Sequence, residues 1–416
     1  MMSVRVKGLR VNVRGLAFKP MLFKSLVNEG VGGLKGMGDS ADVVSTGTDF
    51  SSLTRKGTSN STSTTSSTSS IDNSNGTNAS TRSTNSLASI ASHFPPCISI
   101  GYGSGVFQQN GYEGETPQID IINIVNNTRD FHRANLITNN HHYSGLKWLG
   151  LGIIERFQNF GPVSMYFNPF VNINQSMVKY GVISKDNCFK DLVEWENFYV
   201  AGRFQKPIKF INEKDQARDQ AHDQSHDNIF DKEFDKELDK DLKLLQLANQ
   251  YNLFSALIVS LLINRSPNIT EHKIYENITS LSYLGDPRMK VGGENPNKVK
   301  NIVSKQLENF KVLYSPMMEY MVDKKYLIAK SDGFVINMST TDKIELIRYL
   351  PRNFRDSISK NLNEMTDKKL AKVLRTALIN LVARPSLIQS IKGFFTAGVV
   401  KSLKYMIAKR MKYRRR

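Results

Sequence analysis

The fold of this chain is decided by two neighbouring stretches, GYGSG at residues 101–105 and QIDII at residues 118–122. An apolar segment from Cys97 to Ile100 leads into the glycine-rich turn, and the second stretch has the composition of another short strand. The two stretches therefore predict a pair of strands joined by a turn that can approach a ligand closely.

The turn suits phosphate oxygens because Gly103 lets backbone N–H groups approach closely and Ser104 adds a hydroxyl donor. Gly101 and Gly105 are the expected turn formers. Asp120, inside the second strand, is the predicted ligand of a magnesium ion bound to the same phosphates. This spacing is typical of the triphosphate site of nucleotidyltransferases, although a glycine turn between two strands also occurs in ordinary hairpins.

One carboxylate that nucleotidyltransferases usually carry is missing here, because Gln118 and Ile122 occupy the places two positions from Asp120. The sequence therefore supports one metal position. A second would need another acid brought in by the fold, and four acids remain candidates without a choice among them: Asp130, Asp191, Glu194 and Glu196.

The composition points to an anionic partner. The 416 residues carry a formal net charge of +18, which suits nucleic acid, acidic lipid head groups or a polyphosphate substrate without choosing among them. The two cysteines exclude a disulfide framework. The best apolar run, Leu253 to Ile263, is too short to cross a bilayer, so any membrane contact is expected at the surface.

The N-terminal half divides by composition. Residues 1–28 contain basic residues and no acidic one, since the first acid is Glu29. This composition suits a mitochondrial presequence, with a basic disordered N-terminus as the alternative. Residues 29–93 are rich in Ser, Thr and Asn and predict a disordered spacer, so the folded part is expected to begin near His93. Residues 94–212 alternate short apolar segments and turns around a helix over 146–157, which predicts an α+β domain with a mixed sheet.

The C-terminal half begins with an aspartate-repeat insert at residues 213–241, expected as a solvated loop or helix extension. Residues 242–320 predict three helices of a winged-helix-like domain, at 242–263, 271–284 and 297–314. Residues 321–416 end in a basic segment whose apolar residues, from Phe395 onward, recur at helical spacing. This predicts an amphipathic helix on an anionic membrane surface, or else a helix packed on the protein body.

Several further motifs occur in one order along the chain. They are GYGSGVF at 101–107, DFHRAN at 130–135, HYSGLK at 142–147, KYGVIS at 179–184, YVAGRFQKP at 199–207, YLGDPRM at 283–289, RPS at 384–386 and KGFFTAG at 392–398. Together they resemble the mitochondrial phosphatidate cytidylyltransferases, also called translocator assembly and maintenance proteins. The resemblance covers most of residues 95–210 and 245–400.

This resemblance implies a peripheral enzyme on the matrix face of the mitochondrial inner membrane. It would join CTP and phosphatidic acid into CDP-diacylglycerol and pyrophosphate, with Mg²⁺, at the entry to cardiolipin synthesis. The implied fold is a nucleotidyltransferase domain, then a winged-helix-like domain, then a basic C-terminal segment. The implied partners are the two substrates and the anionic lipid surface, with no nucleic acid expected.

The resembling segments also supply site residues. Lys179 is a candidate catalytic cation for the triphosphate, or else a solvated strand-edge lysine, and Arg203 and Lys206 are candidates to clamp a phosphate, or else part of an ordinary basic loop. The resemblance adds further candidates for substrate binding: Tyr180, His142, Lys147, Asp286, Arg288, Arg384 and Lys392. Among these, Arg384 and Lys392 are expected at the lipid phosphate, with domain-packing salt bridges as the alternative.

Two other functions remain open from the sequence. A nucleotidyltransferase that acts on RNA would also use the basic tail and the winged-helix-like module, although the chain lacks the alternating aromatic and basic residues of a strand-binding groove. A non-enzymatic assembly factor for the inner-membrane translocase is the third. A P-loop kinase is excluded because no Gly-Lys-Ser/Thr follows the glycine turn.

Overall fold

The protein is described here by a computed structural model that covers residues 3–6, 9–12, 87–107, 117–211, 229–290, 295–358, 362 and 365–398. Most of the predicted spacer, the first part of the aspartate repeat and the basic tail at 399–416 lie outside the described residues. Within the predicted presequence, strands β1 (Ser3–Val6) and β2 (Leu9–Asn12) pair antiparallel.

The central element is a five-stranded mixed sheet. Its strands are β3 (Ile98–Tyr102), β4 (Ile119–Val125), β5 (Met165–Ile173), β6 (Ser176–Ser184) and β7 (Ile208–Ile211). The order is β5-β6-β4-β3-β7, in which β4 and β6 run parallel and the other neighbours antiparallel. The α+β class with a mixed sheet is therefore confirmed, and the predicted strand segments match β3 to β6.

Because side chains alternate along a strand, each strand of this sheet serves two cores. Ile122 packs on one face with helix α4 (Lys185–Glu194) and the helical part of the chain. Ile121 packs on the other face with helix α1 (residues 87–91) and helix α2 (Thr128–Thr138). Since Leu87 and Ile90 of α1 are fully buried, the predicted spacer ends too late: ordered structure begins before His93.

The helix predicted over 146–157 is broken in two by Gly150. A 3-10 helix covers Gly145–Leu149, and helix α3 covers Leu151–Asn159. Gly150 lies between them at φ 86°, a conformation that a glycine adopts without strain and that ends the first helix. The short helix α5 (Ala201–Phe204) precedes β7.

The second part of the protein is mainly helical. It contains α6 (Ile229–Leu262), α7 (Glu271–Leu281), α8 (Pro287–Lys290) and α9 (Lys298–Asp323), with strand β8 (Asn268–Ile269) between α6 and α7. Strands β9 (Leu327–Lys330) and β10 (Gly333–Ile336) follow α9, and β10 pairs antiparallel with both β8 and β9. Three long helices followed by a two-stranded wing are the element order of a winged-helix-like module. The predicted boundary at 320 would cut this unit, and α6 begins at Ile229, so residues 229–241 of the predicted insert are helical.

The last elements return to the sheet. Helices α10 (Thr340–Arg348) and α11 (Arg352–Asp356) precede α12 (Asp367–Ala397), which reaches back to β5 and α3. Gln389 of α12 donates to the backbone carbonyl of Met165 at 3.3 Å. Within the described part of the chain, no helix is both long and apolar enough to cross a membrane.

Candidate active site

Three polar side chains form a row across neighbouring strands on the sheet face that meets the helical part. Tyr102 of β3 pairs in register with Asp120 of β4, and Asp120 pairs with Lys179 of β6. Lys179 Nζ lies 3.3 Å from Asp120 Oδ1, and both side chains keep about a quarter of their surface exposed (30% and 24%). Burial acts most strongly and lowers the pKa of Lys179, but the charge of Asp120, together with Tyr102 and Tyr199, raises that pKa above its usual value.

The glycine turn lies directly against Asp120. A Cβ on Gly103, which has φ 78°, would lie 3.2 Å from Asp120 Oδ2, and a Cβ on Gly105 would lie only 2.3 Å from the carbonyl oxygen of Gln118. Glycine is therefore required at 105 by close backbone approach. The arrangement leaves one carboxylate oxygen on Lys179 and aims the other at the turn that carries Ser104. The structure thus brings Asp120 and Lys179 together beside the turn that carries Ser104.

A buried carboxylate shapes the loop beside this row. Asp191 of α4 is fully buried, and its two oxygens accept four backbone N–H groups from the loop that follows, at 2.6 to 2.9 Å. This loop presents Tyr199 and leads into α5. Burial raises the pKa of Asp191, and the four N–H donors act in the opposite direction. Asp191 is a structural anchor here, so it does not supply the second metal ligand.

Arg203 of α5 is held over the row by aromatic rings. Its guanidinium carbon lies 3.7 Å from the ring centroid of Tyr199 and 5.9 Å from that of Tyr102, and it donates to the carbonyl of Tyr199. Stacking of this kind orients an arginine and leaves its positive charge unneutralised. Arg203 is therefore presented towards Asp120 and Lys179 from the neighbouring loop.

Further cations lie where the helical part meets the segment after α5. Arg288 binds Asp286 through two guanidinium nitrogens and lies close enough to Arg203 to oppose its charge. Lys206 donates to Ser282 Oγ at 2.9 Å, and burial, Arg203 and Lys298 together lower the pKa of Lys206 to about 7. Like charges gathered in this way repel one another until an anion arrives. Arg203, Arg288, Lys206 and Lys298 are called the cation cluster below.

Asp120 is placed to bind a magnesium ion together with groups that the substrate supplies. Asp120 offers a carboxylate oxygen facing the glycine turn, and Mg²⁺ commonly takes one or two carboxylates and completes its shell with substrate phosphates and water. Among the described residues, no group of three or more His, Cys, Asp or Glu side chains could hold a metal alone.

The other three candidates for a second carboxylate are also engaged elsewhere. Asp130 pairs with Arg133 at 3.0 Å, and Glu196 pairs with Lys190 at 2.6 Å. Glu194 lies near that same lysine: the pKa of Lys190 is raised mainly by the hydrogen bond that Lys190 donates to Glu196, and the charge of Glu194 contributes further. In this structure, none of the four acids joins Asp120.

Two predicted binding residues lie on the opposite face of the sheet. Tyr180 follows Lys179 in β6, so its side chain points the other way, into the second core. Its hydroxyl bonds to Asn135 Nδ2 at 2.8 Å and to His142 Nδ1 at 3.0 Å. Burial lowers the pKa of His142 to about 4, with a further effect of nearby histidines. Tyr180 and His142 thus form a buried structural network away from Asp120.

Two more predicted residues, Lys147 and Lys392, have their contacts away from the row. Lys147 Nζ bonds to Asn140, through its carbonyl at 3.1 Å and its side-chain oxygen at 2.7 Å. Lys392 is 1% exposed, and its ammonium donates to three backbone carbonyls at 2.8 to 3.2 Å, so it is not placed to contact a lipid phosphate. Arg384 is exposed on α12.

Sequence reasoning missed several contributors to the site. Tyr102 and Tyr199 both lie inside resembling motifs, GYGSG and YVAGRF, and that membership was a usable signal; Tyr199 also lies four positions before Arg203. Lys298 is the first residue of α9 and lies inside the helix predicted over 297–314, where it was not singled out as a site residue. Asp191 was weighed as a metal ligand, whereas the structure shows it as a loop anchor.

Comparisons with known proteins identify one family. A family model described as mitochondrial phosphatidate cytidylyltransferase matches residues 87–229 and 236–412. The protein of that name from Saccharomyces cerevisiae is 37% identical over 327 residues, which cover 77% of this chain and 68% of the relative. The one from Schizosaccharomyces pombe is 35% identical, covering 76% and 79%, and the one from Rattus norvegicus is 34% identical, covering 76% and 90%.

Proposed function

The chain belongs to the mitochondrial phosphatidate cytidylyltransferase family, and from this premise we propose that it joins CTP and phosphatidic acid into CDP-diacylglycerol and pyrophosphate. One observation carries the proposal: the row of Tyr102, Asp120 and Lys179 adjoins the glycine turn on one side and Arg203 of the cation cluster on the other. Such a site suits two substrates that are both polyanions.

The reaction requires no covalent bond between the protein and either substrate. A phosphate oxygen of phosphatidic acid forms a bond to the α-phosphorus of CTP, and the bond from that phosphorus to the bridging oxygen of the β-phosphate breaks, which releases pyrophosphate. Both reactants carry several negative charges, so the protein must hold them in line and offset the charge that builds on the leaving group.

The residues divide this work by position. Backbone N–H groups of the turn and the Ser104 hydroxyl hold the outer phosphates of CTP, and Lys179 supplies a fixed positive charge beside them. Arg203, with Lys206, binds a phosphate from the opposite side, held in place by its tyrosine rings. Asp120 would hold a magnesium ion, which when bound offsets phosphate charge.

We further propose a peripheral position on the matrix side of the mitochondrial inner membrane, at an early step of cardiolipin synthesis. Support comes from the relatives, which are named mitochondrial, and from the net charge of +18, which favours anionic lipid.

The decisive test is liponucleotide formation by the purified full-length protein. Labelled CTP is incubated with phosphatidate vesicles or with tRNA, with magnesium or with a chelator, and the products are separated. We expect labelled CDP-diacylglycerol only with phosphatidate and magnesium. Asp120→Asn should lower the rate by roughly a hundredfold or more, since an amide replaces the carboxylate that would hold the magnesium ion at the phosphates. Asp130→Asn should not, because Asp130 is an exposed acid paired with Arg133.

Two outcomes would defeat the proposal. Label that enters only RNA would assign the protein to RNA metabolism. Absence of any transfer, together with full support of protein import by Asp120→Asn in cells, would favour the assembly-factor function.

A further inference from the structure

Six large apolar side chains are exposed to solvent in one region of the protein. In this region the end of α12 packs beside the 3-10 helix at Gly145–Leu149 and the loop after α3. Trp148 is 81% exposed and Phe160 is 60% exposed. The full set, called the apolar patch below, is Trp148, Leu149, Phe160, Leu387, Ile391 and Phe395, and each member is at least 45% exposed. A cluster of this kind is unusual on a soluble surface and marks an interaction site.

The three segments of the patch are fixed to one another. Ser144, which caps the 3-10 helix, donates to the carbonyl of Phe395 at 3.2 Å, and the rings of Phe157 and Phe395 are 5.9 Å apart. Lys392 Nζ donates to the carbonyl of Phe160 at 3.2 Å.

On α12, the patch residues recur every four positions from Leu387 to Phe395, so they share one face of the helix. The buried Lys392 therefore has a clear structural purpose: it fastens this helix beside the loop at Phe160. The patch is a preformed surface carried by the body of the protein.

The charge around the patch identifies its partner. Residues 399–416, which follow α12 directly, contain eight Lys or Arg residues and no acid. Lys147 Nζ also lies 5.2 Å from the ring centroid of Trp148. Exposed tryptophan and phenylalanine beside basic residues are typical of proteins that enter the headgroup region of an anionic bilayer. A second copy of the chain fits less well, because pairing through this patch would bring two basic tails together.

We propose that the apolar patch inserts into the surface of an anionic bilayer and holds the body of the protein on the membrane, while residues 399–416 supply the electrostatic attraction. The proposal rests on the proposed function in one respect, that the substrate is a membrane lipid. It adds a docking surface on the described fold, made of residues other than those of the Asp120 row.

The test uses the full-length protein and the double substitution Trp148→Ala with Phe160→Ala. The matched control is Ile137→Ala with Val312→Ala, since these two side chains are 79% and 77% exposed and lie outside the patch. Binding is measured by co-sedimentation with phosphatidylcholine vesicles that contain phosphatidylglycerol and no phosphatidate, so that the substrate site does not contribute. Circular dichroism and thermal melting confirm that each variant is folded.

We expect the patch variant to bind these vesicles roughly tenfold more weakly or worse, because two aromatic side chains no longer leave water. The loss should persist at high salt, where the contribution of the basic tail is screened. The control variant should bind like the wild type. Equal binding by the patch variant would overturn the proposal, as would light scattering that shows a wild-type dimer and a monomeric patch variant.

An activity measurement separates this proposal from the proposed function. With phosphatidate in vesicles, the patch variant should lose activity in step with its binding, whereas with dispersed short-chain phosphatidate it should match the wild type. If the wild type makes no liponucleotide from either substrate, the proposed function is wrong. The vesicle-binding result still tests whether the apolar patch binds the membrane.

Discussion

Replacement of Asp191 by asparagine tests whether the loop that carries Tyr199 is held by one carboxylate. Oδ1 accepts N–H groups from Asn197 and Phe198 at 2.9 and 2.6 Å, and Oδ2 accepts those of Val200 and Ala201 at 2.8 and 2.9 Å. Asparagine has the same shape but only one acceptor oxygen. Its NH2 group would face two N–H donors, so two of the four hydrogen bonds cannot form.

The magnitude follows from those two lost bonds. Each buried N–H group left without a partner costs about 1–3 kcal/mol, and the remaining two bonds lose the strengthening that a charged acceptor gives. Relief from burying a carboxylate returns part of this cost. We therefore expect Asp191→Asn to lower the free energy of unfolding by about 3–5 kcal/mol. The loop also contains Phe198 at φ 58°, which raises the need for an anchor.

Urea unfolding measures this change directly. The protein has two tryptophans, and Trp148→Phe leaves Trp195, which is fully buried beside Phe198 at a ring distance of 4.6 Å, as the reporter of the loop. Asp130→Asn serves as the control, because its side chain is 59% exposed.

Activity at a temperature where Asp191→Asn is still folded gives a second readout. There kcat/KM should fall by roughly tenfold or more, because Tyr199 and Arg203 lose their position. A stability change below about 1 kcal/mol, equal to that of the control, would refute the anchoring role.

Three further outcomes are expected. Burial and neighbouring cations lower the pKa of Lys206 to about 7, so its positive charge is lost as pH rises through that value. The ratio of kcat/KM of the wild type to that of Lys206→Arg should therefore fall between about pH 6 and about pH 8, and a flat ratio would exclude a phosphate contact. Gly105→Ala places a methyl group against the carbonyl of Gln118, so thermal melting should show a loss of about 1–3 kcal/mol together with reduced binding of CTP, and an unchanged protein would contradict the close approach. Lys392→Met leaves three buried carbonyls without a donor and should cost about 3 kcal/mol or more in urea unfolding, whereas a stable variant would show that α12 is held by packing alone.

Some features of the site were available from the sequence because they depend on neighbours along the chain. The glycine turn and Asp120 belong to strands that are consecutive in the chain and pair antiparallel, so their proximity follows from the pairing of neighbouring segments. The strand segments themselves follow from apolar alternation. The same alternation gave a further constraint: Lys179 and Tyr180 are consecutive in one strand, so their side chains cannot both face Asp120. The prediction of both as site residues overlooked this.

Other features depend on the tertiary structure because they join residues that are far apart in sequence. Lys179 reaches Asp120 only through parallel pairing of β4 and β6, which requires the intervening elements to cross over. In the sequence, Lys392 lies in a basic segment and was predicted to bind a lipid phosphate. In the structure, the packing of α12 places its ammonium against three backbone carbonyls near α3, which are more than 200 residues earlier in the chain. The sequence by itself determined which groups can hold phosphate, because that depends on residue type and local turn geometry. Only the packing of distant elements decided which of them share one site, since that depends on how strands pair and helices dock.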